Sequence, residues 1–158
     1  MGTRVGFGYD AHRFGGEGPV TVCGVEIEHH IGIIATSDGD VASHAVCDAL
    51  LGAAALGDLG THFPSTDSQW QGVRSLDLVS MCAQKVRSAG YDLAHIDVTI
   101  VVQSIRIGPH REDMRTNLAS TLALPAISVS VKATTTDGLG WIGADEGMAA
   151  HAVATVYR

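Results

Sequence analysis

The fold of this sequence is decided by the stretch Ile96-Asp-Val-Thr-Ile-Val-Val102, which is mostly apolar and almost entirely β-branched. Such a run predicts a strand that is buried on both faces of a sheet. A helical pattern precedes it over residues 75–89 and is closed by Gly90, and Pro109 opens another helix that fades near residues 124–125. A strand flanked by helices in this way indicates a layered fold of helices on a sheet.

The remainder of the chain supplies further strands and one long helix. Strand patterns cover residues 4–9, 20–28 as a hairpin around Cys23-Gly24, 127–134 and 148–157. The Ala- and Leu-rich residues 41–56 predict a helix that Asp38 or Asp40 caps and Gly57 ends. This order predicts one domain over residues 1–158 with an α/β (α+β) fold, in which a mixed sheet carries helices on one face and an N-terminal β-hairpin is added.

Length and charge limit the partners of this chain. Its 158 residues, 46% of them hydrophobic, can build a core without a disulfide or metal staple. Seventeen acidic and ten basic side chains give a net charge of −7, which argues against nucleic acid as a partner. The longest apolar run, residues 49–57, is half a bilayer span, so we expect no membrane partner.

Cysteine usage and the first residues bear on the compartment. Cys23, Cys47 and Cys82 are odd in number and widely spaced, which is typical of buried thiols in a reducing compartment. The first residues contain no secretory pattern. We therefore expect a cytoplasmic protein.

Asp10, His12 and His44 form a candidate metal site. Asp10 and His12 end the first predicted strand at i and i+2, so their side chains point to the same face about 7 Å apart. His44 lies mid-helix in a polar stripe with Asp40 and Asp48. Ligands of the types Asp, His and His leave a tetrahedral zinc ion with one open position. The alternative is that Asp10 caps a turn, His12 lies on the surface, and Asp40 and Asp48 are solvated.

Two later stretches raise the question of nucleotide binding. The run from Gly138 to Gly143 matches G-x-G-x-x-G, but the following residues predict a strand instead of the helix that the dinucleotide motif requires. Lys132-Ala-Thr-Thr-Thr-Asp137 places a cation, three hydroxyls and a carboxylate at the end of a strand. These groups suit phosphate oxygens and a magnesium ion, although ordinary strand threonines before an Asp-Gly turn are an alternative.

Five ordered blocks of sequence carry a resemblance to a known family. They are RVGFGYDAH at residues 4–12, SDGDVASH at 37–44, DALLGAAALGDLG at 48–60, FP at 63–64 and KATTTDGLG at 132–140. With them, the chain resembles the 2-C-methyl-D-erythritol 2,4-cyclodiphosphate synthase family of the non-mevalonate isoprenoid pathway over nearly its whole length. Blocks in this order are a far more specific signal than any one of them.

The resemblance implies a homotrimer whose active sites lie between neighbouring subunits. One subunit would bind one zinc ion, and the other would bind the cytidine of the substrate and the Mg²⁺ or Mn²⁺ on its diphosphate. The implied catalytic residues are Asp10, His12 and His44 as zinc ligands, Asp137 as the magnesium ligand, Lys132 and Thr135. The implied substrate contacts are Thr36, Ser37, Asp58, Gly60, Ser65 and Asp67 at the methylerythritol end, with Val102, Arg106, Ile107, Ala133, Thr134 and Thr135 at the cytidine.

The implied reaction is that of a cyclising phosphorus–oxygen lyase. The 2-phosphate of 4-diphosphocytidyl-2-C-methyl-D-erythritol 2-phosphate attacks the β-phosphorus and expels CMP. The attacking phosphate is already ionised at neutral pH, so charge repulsion is the main obstacle, and two divalent metals would neutralise it. Two alternatives are open: a catalytically impaired trimeric protein that binds nucleotide or metal on the same scaffold, and a metal-dependent phosphohydrolase.

The sequence departs from the family pattern at several positions. Thr36 replaces a usual His and Ser65 a usual Asp, so we expect weaker contacts to the substrate. Asp137 replaces a common Glu and is one methylene shorter. Ile105 and Arg106 replace a Pro-Lys pair, and Ala144 and His151 replace Arg and Glu at an internal trimer cavity. We therefore predict that an isoprenoid diphosphate bound in that cavity by other members is absent or bound differently.

Overall fold

The computed structural model describes residues 2–158 as a four-stranded mixed sheet, a two-stranded hairpin and helices. The strands are β1 (Thr3–Arg13), β2 (Val20–Val22), β3 (Val25–Ile27), β4 (Asp92–Val101), β5 (Val129–Thr134) and β6 (Gly147–Tyr157). The helices are α1 (Val41–Ala53), α2 (Leu59–His62), α3 (Ser75–Ser88), α4 (Arg111–Leu122) and α5 (Gly140–Gly143). Short 3₁₀ turns cover Ser68–Trp70, Gly108–His110 and Ala126–Ser128.

The large sheet has the strand order β1-β6-β4-β5. The β1–β6 and β6–β4 pairs are antiparallel, whereas β4 and β5 are parallel. Parallel strands need a crossover, and α4 supplies it between β4 and β5. The strands β2 and β3 form a separate antiparallel hairpin. The predicted mixed sheet with an added N-terminal hairpin is confirmed.

The central strand β4 is buried on one face only, so the prediction of a strand buried on both faces is wrong for the single chain. Ile96, Val98 and Ile100 lie in the core under the helices, while Asp97 and Thr99 on the other face are half-buried. No helix covers that second face among the described residues. The strand also begins earlier than predicted, because its first residues pair with the end of β6.

The helix-free face of the sheet carries exposed apolar side chains. Val5, Phe7 and Tyr9 of β1 are 66%, 62% and 48% exposed. The His151 ring of β6 lies beside them, with centroids 5.8 Å from Phe7 and 5.0 Å from Tyr9. Their row continues across the sheet to Thr99, because His151 is paired with both Tyr9 and Thr99.

Two glycines of β1 allow α1 to pack directly on the strand backbone. A Cβ added at Gly6 would lie 1.9 Å from the carbonyl oxygen of Ala49, and one added at Gly8 would lie 1.9 Å from that of Ala45. A side chain at either position would therefore force strand and helix apart. This close approach places the residues that follow Gly8 next to the first turn of α1.

Several element boundaries differ from the sequence prediction. Helix α1 ends at Ala53 instead of residue 56, because Ala55 takes a left-handed conformation with φ 58° before Gly57 does so with φ 90°. Strand β1 runs to Arg13 instead of residue 9, so Asp10 and His12 belong to the strand and lie near its end. The predicted strand over residues 127–134 begins only at Val129, after a 3₁₀ turn.

The predicted helix over residues 75–89 is confirmed, and Gly90 follows it with φ 86°. Cys23, Cys47 and Cys82 are buried and free of disulfides, as predicted. Within residues 2–158, no helix combines the length and the apolarity that crossing a bilayer demands.

Candidate active site

Asp10, His12 and His44 meet at one point, as the sequence predicted. The Asp10 Oδ2 atom lies 2.8 Å from His12 Nε2 and 3.0 Å from His44 Nδ1, and the two histidine nitrogens are 3.2 Å apart. Asp10 and His12 come from alternate positions of β1, and His44 comes from the first turn of α1. Three convergent donor atoms of these types could hold a metal ion.

Electrostatics favours the charged forms of Asp10 and His44. Burial alone would raise the pKa of Asp10, but hydrogen bonds and positive charge from His12 and His44 outweigh it and hold that pKa well below its usual value. Burial alone would lower the pKa of His44, but the hydrogen bond to Asp10 and the charges of nearby aspartates raise it. The cluster therefore concentrates a carboxylate between two imidazoles, and a cation can replace their protons.

The second ring nitrogen of His44 is also occupied. His44 Nε2 lies 2.9 Å from Ser75 Oγ and 3.2 Å from Ser37 Oγ. Ser75 in turn donates its hydroxyl hydrogen to Asp38 Oδ1. Metal-binding histidines usually donate their other N–H to such a partner, so the donor set and its surroundings fit a metal ion.

The two aspartates that flank His44 have structural roles, so their interpretation as solvated side chains is wrong. Asp40 is fully buried and is the N-cap of α1, where it accepts from Ser43 N at 3.0 Å. It also accepts from the backbone N–H groups of Cys23 at 2.9 Å and Gly24 at 2.8 Å, which ties the β2–β3 hairpin to the helix. Asp48 is half-buried and accepts from Leu59 N at 2.7 Å.

A cavity of about 210 Å³ opens beside the metal ligands. His12 and His44 reach one side of it, and four implied substrate contacts also line it, namely Thr36, Ser37, Gly60 and Ser65. The remaining walls are Ala35, Leu59, Phe63, Trp70, Val73 and Leu78. Leu59 and Phe63 fall in two of the family blocks, whereas Ala35, Trp70, Val73 and Leu78 lie outside those blocks and share no local motif.

Asp58 and Asp67 are not among the lining residues of this cavity. Asp58 is exposed and caps α2, where it accepts from Thr61 N at 2.8 Å. Asp67 is half-buried and accepts from Gln69 N at 3.1 Å. In the single chain, both carboxylates therefore accept hydrogen bonds from backbone N–H groups of their own turns.

The residues implied for cytidine and the second metal lie together at the ends of β4 and β5. Val102 and Ile107 are buried, whereas Arg106, Asp137 and the stretch of residues 132–135 are exposed. Thr135 Oγ1 accepts from the N–H of Asp137 at 3.1 Å, which shapes the turn that Asp137 enters with φ 56°. Lys132 pairs with Asp97 on the helix-free face.

The glycine-rich stretch near residue 140 is a turn, as predicted. It contains only the four-residue helix α5 before β6 begins. Gly138 and Gly140 have positive φ values of 76° and 65°. A dinucleotide motif would need a full helix here.

The metal ligands and the cytidine group occupy opposite edges of the sheet. Asp10 of β1 pairs with Ala150, Ala150 pairs with Ile100, and Ile100 pairs with Ala133 of β5. The two ends of this row are separated by three strand spacings, a distance of about 14 Å. Within one chain, the two groups of residues therefore lie apart.

Fold and site together define an α+β protein in which three convergent side chains that could hold a metal ion lie beside a small cavity. Residues 3–157 match the model of the YgbB family, and the chain therefore belongs to that family. A 2-C-methyl-D-erythritol 2,4-cyclodiphosphate synthase from Methylococcus capsulatus is 52% identical over 155 residues, which are 98% of this chain and 98% of that protein. The family resemblance drawn from the five blocks is confirmed.

Solved structures agree with this assignment. The bifunctional IspDF from Campylobacter jejuni is 40% identical with a TM-score of 0.95, over 98% of this chain and 42% of that chain. The structure of a 2C-methyl-D-erythritol-2,4-cyclodiphosphate synthase with CDP bound is 34% identical with a TM-score of 0.89. That match covers 98% of this chain and 100% of the other.

Proposed function

We propose that this protein is a cyclising enzyme of the non-mevalonate isoprenoid pathway. It converts 4-diphosphocytidyl-2-C-methyl-D-erythritol 2-phosphate into 2-C-methyl-D-erythritol 2,4-cyclodiphosphate and CMP, as a phosphorus–oxygen lyase in one domain of residues 1–158. The observation that carries the proposal is the convergence of Asp10, His12 and His44 beside a cavity, in a chain 52% identical to a synthase of this name. Three buried free cysteines support a cytoplasmic location.

Zinc is the metal that we assign to Asp10, His12 and His44. One carboxylate oxygen and two imidazole nitrogens suit zinc and leave a fourth position open. When bound, the ion supplies positive charge that polarises a phosphoryl oxygen of the substrate. Gly6 and Gly8 contribute by letting α1 approach β1, so that His44 reaches the two ligands on the strand.

The cavity is the proposed pocket for the methylerythritol end of the substrate. Ser37 offers a hydroxyl, and the backbone at Gly60 is open because glycine has no side chain. Thr36 and Ser65 line the same cavity and replace a larger donor and a carboxylate of the family pattern. We assign Asp58 and Asp67 to the outer rim of this pocket.

The ends of β4 and β5 are the proposed cytidine and diphosphate site. Exposed hydroxyls at Thr134 and Thr135 and the guanidinium of Arg106 suit phosphate oxygens. Asp137 would hold Mg²⁺ or Mn²⁺ against the diphosphate, and its carboxylate is exposed at a tight turn. The walls around the cytosine base would be formed by Val102, Ile107 and Ala133. Lys132 would leave its ion pair with Asp97 and neutralise charge on the phosphates.

The active site is composite and needs a second subunit. Cyclisation joins an oxygen of the 2-phosphate to the β-phosphorus while the bond from that phosphorus to CMP breaks, so both phosphates must be held in contact. Within one chain, the two half-sites stand about 14 Å apart across the sheet. A homotrimer that brings β1 of one subunit to β5 of the next is supported by the exposed Val5, Phe7 and Tyr9.

Charge is the barrier that these residues must lower. Two like charges 4 Å apart repel by about 1 kcal/mol in water and about 4 kcal/mol at an effective dielectric constant of 20. The chain itself carries a net charge of −7. Metal ions held by Asp10, His12, His44 and Asp137 would offset this unfavourable field at the two phosphates.

The test is product analysis with a matched histidine control. The purified protein is incubated with the diphosphocytidyl substrate and Mg²⁺, with and without a zinc chelator, and followed by phosphorus NMR. We expect cyclic diphosphate and CMP, lost on chelation and reduced by orders of magnitude in His44→Ala but not in His30→Ala, since His30 is exposed and outside the site.

Other products would contradict the proposal in different ways. Intact substrate with zinc-loaded wild-type protein would indicate a binding protein that has lost turnover through Thr36 and Ser65. A linear phosphate product would indicate a phosphohydrolase. Normal activity of His44→Ala without zinc would overturn the metal assignment.

A further inference from the structure

His44 is held from behind by a two-residue hydrogen-bonded chain. The backbone N–H of Ser75 donates to Asp38 Oδ2 at 2.9 Å, and the Ser75 hydroxyl donates to Asp38 Oδ1. Ser75 is fully buried at the first position of α3, so this carboxylate also caps the helix. Asp38 thus ties the beginning of α3 to the loop that precedes α1.

The direction of each hydrogen bond in this chain follows from the number of hydrogens. A serine hydroxyl carries one hydrogen, and the Ser75 hydroxyl gives it to the carboxylate of Asp38. Its oxygen can therefore only accept from His44 Nε2, which lies 2.9 Å away. His44 must then carry a hydrogen on Nε2, and a neutral ring with that hydrogen presents the lone pair of Nδ1 to Asp10 and His12.

We propose that Ser75 and Asp38 are positioning residues of the metal site, which fix the tautomer and the ring orientation of His44 so that Nδ1 is available as a ligand. This inference rests on the metal binding in the proposed function. It assigns a role in the site to a residue of α3, an element that carries none of the three ligands. The contact between α1 and α3 at Ser75 therefore helps to orient the ligand His44.

Ser37 does not replace Ser75 in this role. Ser37 Oγ lies farther from His44 Nε2, at 3.2 Å, and it already accepts from the N–H of Gly39 at 3.2 Å. Its side chain is only half-buried and lines the cavity that we assign to substrate. The buried Ser75 hydroxyl is therefore the acceptor that persists in the presence and absence of substrate.

The chain contains a matched control for this inference. Ser43 is also fully buried, and its hydroxyl donates to Asp40 Oδ2 at 2.8 Å, just as Ser75 donates to Asp38. Ser43 is the immediate neighbour of His44 in sequence, but its hydroxyl has no contact with that ring. Ser43→Ala therefore removes the same kind of hydroxyl-to-carboxylate hydrogen bond and leaves the imidazole partner in place.

The experiment measures Zn²⁺ affinity by competition with a chromogenic chelator in the wild type, Ser75→Ala and Ser43→Ala. It also records the imidazole N–H signals of the zinc-loaded proteins by ¹H–¹⁵N NMR. Partners of this kind change metal affinity by about 10–100-fold, so we expect that loss in Ser75→Ala and less than about 3-fold in Ser43→Ala. The His44 Nε2–H signal should exchange slowly in the wild type and in Ser43→Ala, and should be lost by exchange in Ser75→Ala.

Two results would overturn the inference while leaving zinc binding intact. One is an equal loss of Zn²⁺ affinity in both serine variants. The other is unchanged Zn²⁺ affinity together with a retained His44 N–H signal in Ser75→Ala. Wild-type protein that binds no Zn²⁺ would instead overturn the metal assignment and this inference together. If Ser75→Ala fails to fold, Asp38→Asn decides, since it keeps Ser75, removes the charge behind it and turns one of the two oxygens that accept from Ser75 into an NH2 donor. Unchanged affinity and an unshifted His44 N–H signal in Asp38→Asn would then overturn the inference.

Discussion

Gly8→Ala should separate β1 from α1 and weaken metal binding more than it weakens folding. The added Cβ would lie 1.9 Å from the carbonyl oxygen of Ala45 and 2.8 Å from the backbone nitrogen of Ala49. Ordinary van der Waals contact begins near 3.4 Å, so strand and helix must move apart by about 1.5 Å. Both obstacles are backbone atoms of a helix, which cannot rotate away as a side chain would.

The metal site is more sensitive to this movement than the fold is. Asp10 lies two residues after Gly8 on the strand, and His44 immediately precedes Ala45 on the helix. Metal–ligand distances tolerate deviations of only about 0.2 Å, far less than the required shift. Overpacking costs about 1–3 kcal/mol, which is a fraction of the 5–15 kcal/mol that ordinarily holds a domain together.

The assay combines zinc affinity by chelator competition with thermal unfolding followed by circular dichroism. Gly52→Ala is the matched control, because residue 52 lies on the same helix and its added Cβ would meet no atom closer than 4.0 Å, the carbonyl oxygen of Phe7. Alanine in a helix is favoured over glycine by about 1 kcal/mol, so this variant should unfold at a higher temperature with unchanged zinc affinity. Gly8→Ala that folds and binds zinc as the wild type does would refute the reasoning.

Two further predictions concern the helix-free face. Burial alone would raise the pKa of Asp97, but the hydrogen bond and charge of Lys132 outweigh it and lower that pKa. The pairing therefore stabilises the fold fully above the unfolded carboxyl pKa of about 4. This stabilisation is lost as the pH falls through the lower pKa of the folded state. Lys132→Met should therefore lower the free energy of unfolding in urea by less than about 1 kcal/mol at pH 7, because both side chains are partly exposed. In acid, the variant should be as stable as the wild type. A difference in stability that does not depend on pH would contradict this prediction. Phe7→Glu should abolish turnover and convert the proposed trimer into monomers, as measured by light scattering. The control Ile127→Glu changes an 87% exposed residue on a 3₁₀ turn and should alter neither turnover nor oligomeric state. A trimeric Phe7→Glu protein would contradict the proposed interface.

The errors in the predicted fold arise where tertiary contacts override the local sequence pattern. A mostly apolar, β-branched run identified β4, but the half-exposed Thr99 and Val101 are as β-branched as the core residues, so composition predicted burial on both faces. Helix propensity favoured continuing α1 to residue 56. The chain leaves the helix earlier because Ala55, an excellent helix former, takes a left-handed turn that only tertiary context can impose.

The site was predictable to the extent that its parts are local in sequence. Asp10 and His12 are two residues apart on one strand, and His44 stands out as a histidine inside an apolar helix. Ser75 carries no such signal, since it lies 37 residues from Asp38 and resembles any serine at the start of a helix. Second partners of metal ligands come from whichever element the fold brings near, and a single sequence does not contain that information.

The stretch SDGDVASH at residues 37–44 shows why one of the family blocks is so densely polar. Its two aspartates, Asp38 and Asp40, are two residues apart but bind different elements: Asp38 fixes the start of α3, and Asp40 fixes both the β2–β3 hairpin and the start of α1. His44 lies one helical turn beyond Asp40, in contact with Ser75 on α3. A change at either aspartate would therefore move the metal ligand without touching the metal, because the orientation of His44 depends on where three elements are joined. The chemistry of the site requires only one residue of this block as a metal ligand, and Asp38 and Asp40 fix the elements that hold that residue in place.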